Sequence, residues 1–458
     1  MDFLEARHDK ATEMVKNAEM TCQLRKTKFN GRQVYRHKSV KLYRLDPRHY
    51  IHSNVGEGQS TLWNTIMKKT LLASSIVVMF LAACGGGNSN ATQTAPSETN
   101  NAPAASSGAA AAPVAAATGD LKIYNWSDYV DPETIKEFEA ANSVKVTYDV
   151  YDSNEALEAK VLTGKSGYDL VAPSNSFAGR QIKAGAYLKL DKSQIPNYNN
   201  IDPSLLKLLN EVDPGNEYAV PYFWGINTLA INKDKVEAAL GGPLPDNQWD
   251  LLFKPEYSSK LKSCGVSILD SAAEVFPMVL NYMGKDPHSD KAEDLKAAQE
   301  VLMKARPNIR RFSSSGYIDD MARGDLCVVL GYGGDLNIAA RRAKEVGSNV
   351  NIDVLVPKEG FGVWIDSWMI PKDAANVANA YKYINSTLDA KVAAKNGNFV
   401  TYAPASKGAK DLMEKEYADN RSIFPTEQDL QNGFVMIPMN PDSLKLAVRL
   451  WQDIKKGS

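Results

Sequence analysis

Aromatic residues and carboxylates recur together at three points along the chain: Trp126 with Asp128 and Tyr129, Tyr332 with Asp335, and Trp364 with Asp366 and Trp368. A ligand built as an apolar chain with ammonium ends calls for this mixture. Aromatic faces attract a desolvated cation and pack its methylenes, while carboxylates accept charge-assisted hydrogen bonds from each ammonium. Any single pair reads equally well as a core tryptophan beside a capping aspartate. Three pairs in comparable places favour a cation site but leave it one option among several. Catalysis has less to work with. Four of the five histidines (His8, His37, His49, His52) precede residue 67, so His288 stands alone in the rest of the chain, which counts against a His-based triad or a multi-His metal site. Glu274 and Asp366 could form an acid/base pair of the glycosidase kind, yet the sequence offers neither a raised-pKa partner nor a metal. The expectation is therefore no enzyme, no metal and no cofactor.

The elements that must position these residues begin at Leu121. Short β-branched or aromatic runs alternate with helical stretches: LKIYNW, DPETIKEFEAAN, VKVTYDVY, SNEALEAKVLTG and YDLVAPS, a βαβαβ order. Asp131 followed by Pro132 and Glu133 predicts a helix start that ends near Asn142. Such a pattern builds a parallel sheet with helices on its faces, and ligands sit at the carboxyl ends of its strands. Those ends carry Asn125-Trp126-Ser127-Asp128-Tyr129 and Pro173-Ser174-Asn175-Ser176. Farther on, AVPYFWGINTLAIN and VLVPKEGFGVWIDSWMIP read as long extended segments that could carry the chain between two lobes. Gly331-Tyr332-Gly333-Gly334 lacks the lysine and the spacing of a phosphate loop and reads as a tight turn placing Asp335 at a helix start.

Composition sets the context. The net charge of −1 hides an asymmetry: residues 1–66 carry 12 basic and 7 acidic side chains, leaving 41 basic and 47 acidic ones downstream. A mildly acidic body without a basic stripe is poor material for binding phosphate backbones, so nucleic acid is excluded as a partner. From Met67 the chain reads MKKTLLASSIVVMFLAACGGG, with two lysines, an apolar run and small residues before Cys84. The anatomy is that of a secretion signal over residues 67–83, too short an apolar run to span a bilayer comfortably. Leu81-Ala82-Ala83-Cys84 also resembles the lipobox of bacterial lipoproteins, which implies lipidation of Cys84. Residues 84–119, rich in Gly, Ala, Ser, Asn, Thr and Pro, form a flexible tether, and residues 1–66 read as an upstream extension from a mis-assigned start. Cys264 and Cys327, the two cysteines of the body, are expected to pair in an exported protein.

From about Leu121 to Gly457 the chain resembles the periplasmic putrescine- and spermidine-binding receptors of polyamine ABC importers. The segments that carry the likeness include IYNWSDYVDPETIKEFE, YDVYDSNEALEAKVLTGKSGYDLVAPS, WDLLFKPE, GDLCVVLGYGGD and VPKEGFGVWIDSWMIP. The resemblance implies a type II periplasmic binding protein fold: two α/β lobes joined by a hinge, with the ligand cleft between them. Residues 119–224 and 361–400 would form lobe 1, and residues 225–360 and 401–458 lobe 2. It also implies a monomer that captures putrescine or spermidine and delivers it to membrane permease subunits, tethered to a membrane by its lipid.

Carried over by motif, the resemblance assigns the ammonium-binding acids to Asp128, Glu274, Asp335 and Asp366. Its aromatic walls become Trp126, Tyr129, Tyr332, Trp364 and Tyr402, and its polar contacts Ser127, Ser174 and Ser314. Tyr332 departs from the tryptophan usual in putrescine receptors, and Trp364 is more typical of spermidine-preferring relatives. Ser271, Ser176 and Met436 stand where those relatives offer an acid, a tyrosine and a glutamine, which leans the expectation toward putrescine. A receptor for another small cationic or amino-acid-like solute is the alternative; an amino acid would require an arginine in the cleft.

Overall fold

The computed structural model describes residues 119–457, together with two three-residue strands, Thr27–Phe29 (β1) and Arg32–Val34 (β2), that pair antiparallel. Those two strands belong to one unit, Met1–Ser106, and the remainder to a second, Ser107–Ser458. The expected signal, Cys84 and its tether lie outside the described residues. No helix among the described residues is long and apolar enough to cross a membrane.

The second unit is a mixed α/β structure. It opens with three strands, β3 (Gly119–Trp126), β4 (Val144–Tyr151) and β5 (Leu170–Val171), in a parallel sheet of order β4-β3-β5. The helix between β3 and β4 spans Pro132–Asn142; Asp131 caps it by accepting from the Glu133 amide, and Ser143 ends it in a left-handed conformation. Ser153 caps the next helix, Asn154–Val161, in the same way. The βαβαβ reading of the sequence is thus realised, with Leu121, Ile123, Leu157 and Leu170 fully buried between the layers.

A 13-residue strand, β6 (Val220–Asn232), organises the rest. It is buried almost throughout, which explains its near-continuous apolar sequence. Its partners change along its length. Val220–Asn227 pairs antiparallel with β11 (Gly362–Trp368), whereas Asn227–Ile231 pairs with β9 (Val328–Tyr332) and Ala230–Asn232 with β10 (Ile352–Val354). Beyond β9 lie β7 (Val266–Ile268) and β8 (Arg311–Phe312), both parallel. The far end of β11 reaches the first sheet through bridges from Val171 to Met369 and from Ser174 to Asp366. One strand therefore runs from one group of elements into the other. The second long segment does so only from Gly362, because the stretch around Pro357 and Gly360 interrupts it after β10.

Cys264 and Cys327 are joined by a disulfide with Cα atoms 5.5 Å apart. They meet because each lies just before a paired strand position, Val266 facing Val328. The chain order of the two groups is less simple than a break at 400/401: β12 (Ala403–Pro404) pairs with Phe223–Trp224 of β6, and Ala405 bonds to Tyr222 and Asp202. Residues 403–405 therefore pack on the first group. The final helix, Pro441–Lys456, lies with the second, where Trp451 and Lys455 bond to Asp270.

Candidate functional site

β3, β9 and β11 each end or bend at one cavity, and each brings an aromatic ring to it. Trp126 closes β3 and donates its indole N–H to the Ala172 carbonyl at 3.0 Å. Tyr332 closes β9 and Trp364 lies within β11. These rings meet edge to face: Trp126 to Tyr332 at 5.8 Å, Tyr332 to Trp364 at 6.0 Å, Trp364 to Tyr402 at 5.4 Å and Tyr402 to Tyr129 at 5.1 Å. The result is a continuous aromatic wall whose rings fix one another. Glycines make room for it: a Cβ on Gly225 would fall 2.7 Å from the Trp364 ring, and one on Gly334 only 2.3 Å from that of Tyr402.

The cavity inside this wall has about 360 Å³ of empty volume counted out to its mouth. Trp126, Ser127, Tyr129, Ser174, Ser314, Tyr332, Asp335, Trp364, Asp366 and Tyr402 all line it. Ten of the residues proposed from sequence are thus gathered at one place. Asp152 and Ser315 line it too, and the sequence reading missed them. Asp152 could have been found, since it follows strand β4 as Asp128 follows β3.

Of the three carboxylates that line the cavity, Asp335 and Asp366 are buried, and each is held rigidly. Asp366 sits where the β11–β6 register shifts, and Ser174 donates its hydroxyl to Asp366 Oδ1 at 2.5 Å. Asp335 lies in the first turn of the helix Gly333–Glu345, where the turn reading of GYGGD placed it. Tyr402 donates to its Oδ1 at 2.6 Å and Tyr317 to its Oδ2 at 2.8 Å. Neither acid is ion-paired with Lys or Arg among the described residues. Burial pushes Asp366 up to about 7, against the pull of Ser174 and Tyr129. It pushes Asp335 up to about 6, against two tyrosine hydroxyls. Tyr129 Oη approaches Asp366 without completing a hydrogen bond of good geometry.

The other two expected acids do not line the cavity. Asp128, with a left-handed φ of 56°, turns outward and pairs with Arg342 at 2.8 Å. Its charge is already neutralised, by a guanidinium that also holds Asp319 at 2.8 Å. Glu274 lies behind the wall, 4 % exposed, accepting from Asn154 Nδ2 at 3.3 Å. Asn154 in turn donates to Ser174, so a polar chain links Glu274 to Asp366. Burial, then the charge of Glu155, pushes Glu274 up to about 8. Raised carboxyls often mark catalytic acids; among the described residues no cluster of histidines, cysteines and acids is able to hold a metal.

A family profile described as bacterial extracellular solute-binding protein matches residues 133–425. A putrescine-binding periplasmic protein of Escherichia coli (strain K12), PotF, is 46% identical over 345 residues, covering 75% of this chain and 93% of that protein. The putrescine-binding periplasmic protein SpuD of Pseudomonas aeruginosa is 44% identical over 343 residues, 75% of this chain and 94% of SpuD. Among solved structures, a putative spermidine/putrescine ABC transporter from Listeria monocytogenes superposes with a TM-score of 0.65 at 30% identity, covering 73% of this chain and 98% of that one.

Proposed function

The chain belongs to the bacterial extracellular solute-binding proteins, and on that premise we propose that it captures a small polyamine, putrescine or a near relative, and delivers it to the permease of an ABC importer. It is a binding protein, not an enzyme. One observation carries the choice of ligand: a narrow cavity with aromatic walls holds two buried acids, Asp335 and Asp366, without an internal cation. An ammonium placed between them restores charge balance, while the methylenes rest on Trp126, Tyr332 and Trp364. The far ammonium is left to the Glu274 and Asp152 side, since Asp128 is committed to Arg342.

The same geometry disfavours an amino-acid-like solute. A carboxylate would need an arginine, and Arg342 lies outside the lining with its fork already holding Asp128 and Asp319. We further propose that residues 119–224 with 361–400, and 225–360 with the C-terminal helix, act as two lobes that close on the ligand. Asp366 and Ser174 belong to the first of these groups and Asp335 and Ser314 to the second, so a ligand touching both favours the closed state. Lipid anchoring through Cys84 and a monomeric state complete the proposal.

Calorimetric titration of the purified body with putrescine, spermidine and a neutral diol of equal length tests the reading. Saturable binding of either amine, thermal stabilisation by mass action and recovery of the amine unchanged are expected. Binding of the diol as tightly as the amines would overturn it.

A further inference from the structure

Two helices begin opposite each other beside Ser174 of the cavity wall, to which Asn154 donates at 3.0 Å. Asn154–Val161 starts with Asn154 and Glu155, and Ala272–Tyr282 is preceded by Ser271 and carries Glu274 in its first turn. Asn154 reaches across to Glu274 at 3.3 Å, and Ser271 donates its hydroxyl to Glu155 Oε1 at 2.8 Å. Two carboxylates are thereby fixed side by side, one from each helix start.

Nothing internal neutralises them. Among the described residues neither is ion-paired; Arg180, whose guanidinium acts on Glu155 from a distance, is held by Glu158 at 2.7 Å. Glu274 is 4 % exposed, and its Oε2 has no hydrogen-bond partner of good geometry. A buried carboxylate oxygen without a donor is costly, and a like charge beside it adds to the cost. Glu155 differs in being open to solvent while hemmed in by surrounding atoms, so an incoming cation can reach it. The wall residue Asp152 lies three residues before it in the sequence, in the bend between β4 and the helix.

Ser271 stands where an acid was expected for a spermidine-type ligand. Its hydroxyl instead holds Glu155 in place, so the missing charge arrives from the opposite helix. We propose that Glu155 is a specificity-determining residue which, together with Glu274, receives the extra nitrogen of a triamine. The proposal rests on the polyamine reading above. A diamine already paired at Asp335 and Asp366 draws less on Glu155 than a longer cation that extends to it.

The test is titration of the wild-type protein and Glu155→Gln with putrescine and with spermidine. The amide keeps the Ser271 contact and the shape, and thermal unfolding of the ligand-free variant checks that it folds. A charge-assisted contact of this kind predicts that spermidine weakens about tenfold or more, while putrescine changes by less than about threefold. Ser271→Ala, which frees Glu155 without removing its charge, should weaken spermidine to a smaller extent. If Glu155→Gln leaves spermidine unchanged, or weakens putrescine as much as spermidine, the assignment of Glu155 is overturned and the polyamine site stands. If the wild-type protein binds neither amine, the polyamine reading itself fails.

Discussion

Putrescine binding should expel protons from the site at mildly acidic pH. At pH 6, Asp335 at about 6 is half protonated and Asp366 at about 7 is mostly so. Their facing groups are Tyr317 and Tyr402 for Asp335, and Ser174 and Tyr129 for Asp366. The more distant Asp128 and Arg342 act on Asp335 in opposite directions. A primary amine stays protonated across this range. It therefore requires both carboxylates ionised, so binding at pH 6 displaces between one and two protons. Affinity then rises roughly tenfold per pH unit for each proton displaced, and levels off once both acids ionise without help. Glu274, at about 8, adds to the release if the far ammonium engages it.

The ligand-free protein should show the opposite trend in stability. A carboxyl raised in the folded state binds more protons there than in the unfolded chain, so its stabilising contribution is complete near pH 4 and is lost as pH rises toward 7 or 8. For Asp366, a rise from 3.8 to about 7 corresponds to a loss on the order of 4 kcal/mol. Titrations at pH 6 in two buffers of different ionisation enthalpy give the proton count directly. Heats independent of buffer, together with an affinity flat from pH 6 to 8, would refute the burial argument.

Asp366→Asn and Asp335→Asn should each weaken putrescine by about 2–5 kcal/mol, because each leaves the ligand's cation desolvated and poorly paired; titration of both variants checks it. Reducing the Cys264–Cys327 bond, which closes a separation of 63 residues, should lower stability by about 4 kcal/mol in the chain-entropy description. Denaturant unfolding with and without reductant measures that loss, and coincident curves would count against it. Small-angle scattering should show a smaller radius of gyration with saturating putrescine, and no change would argue against closure.

The sequence made most of this site legible, for identifiable reasons. Trp126, Tyr332 and Asp335 sit at strand ends or a helix start, where the βα order alone says ligands are met. The fate of Asp128 was not legible. It has the right type and place, but its partner Arg342 is more than two hundred residues away. Only the tertiary fold shows that its charge is already used. Glu155 was hidden by a different cause: within EALEAKV it looks like any exposed acid in the first turn of a helix. Its meaning depends on Ser271 arriving opposite it. The pairing of Ala403–Pro404 with β6, across the boundary drawn at 400/401, was not legible either, because a two-residue strand has no periodicity to read.

These placements divide the work between affinity and selectivity. Asp335 and Asp366, locked by tyrosine and serine hydroxyls, gain most from any ammonium that enters, since each otherwise stays desolvated without a counter-ion. They reward a cationic end without measuring the length of the chain attached to it. Length is measured beside the wall, where Asn154 ties Ser174 to Glu274 and Ser271 holds Glu155. A diamine whose far ammonium reaches the Glu274 side but not Glu155 leaves Glu155 to be neutralised by protons or by solvent at its open side. A longer cation replaces them directly. Selectivity between polyamines then depends on how the Glu155–Glu274 pair is neutralised, and the aromatic wall common to both ligands contributes little to the difference.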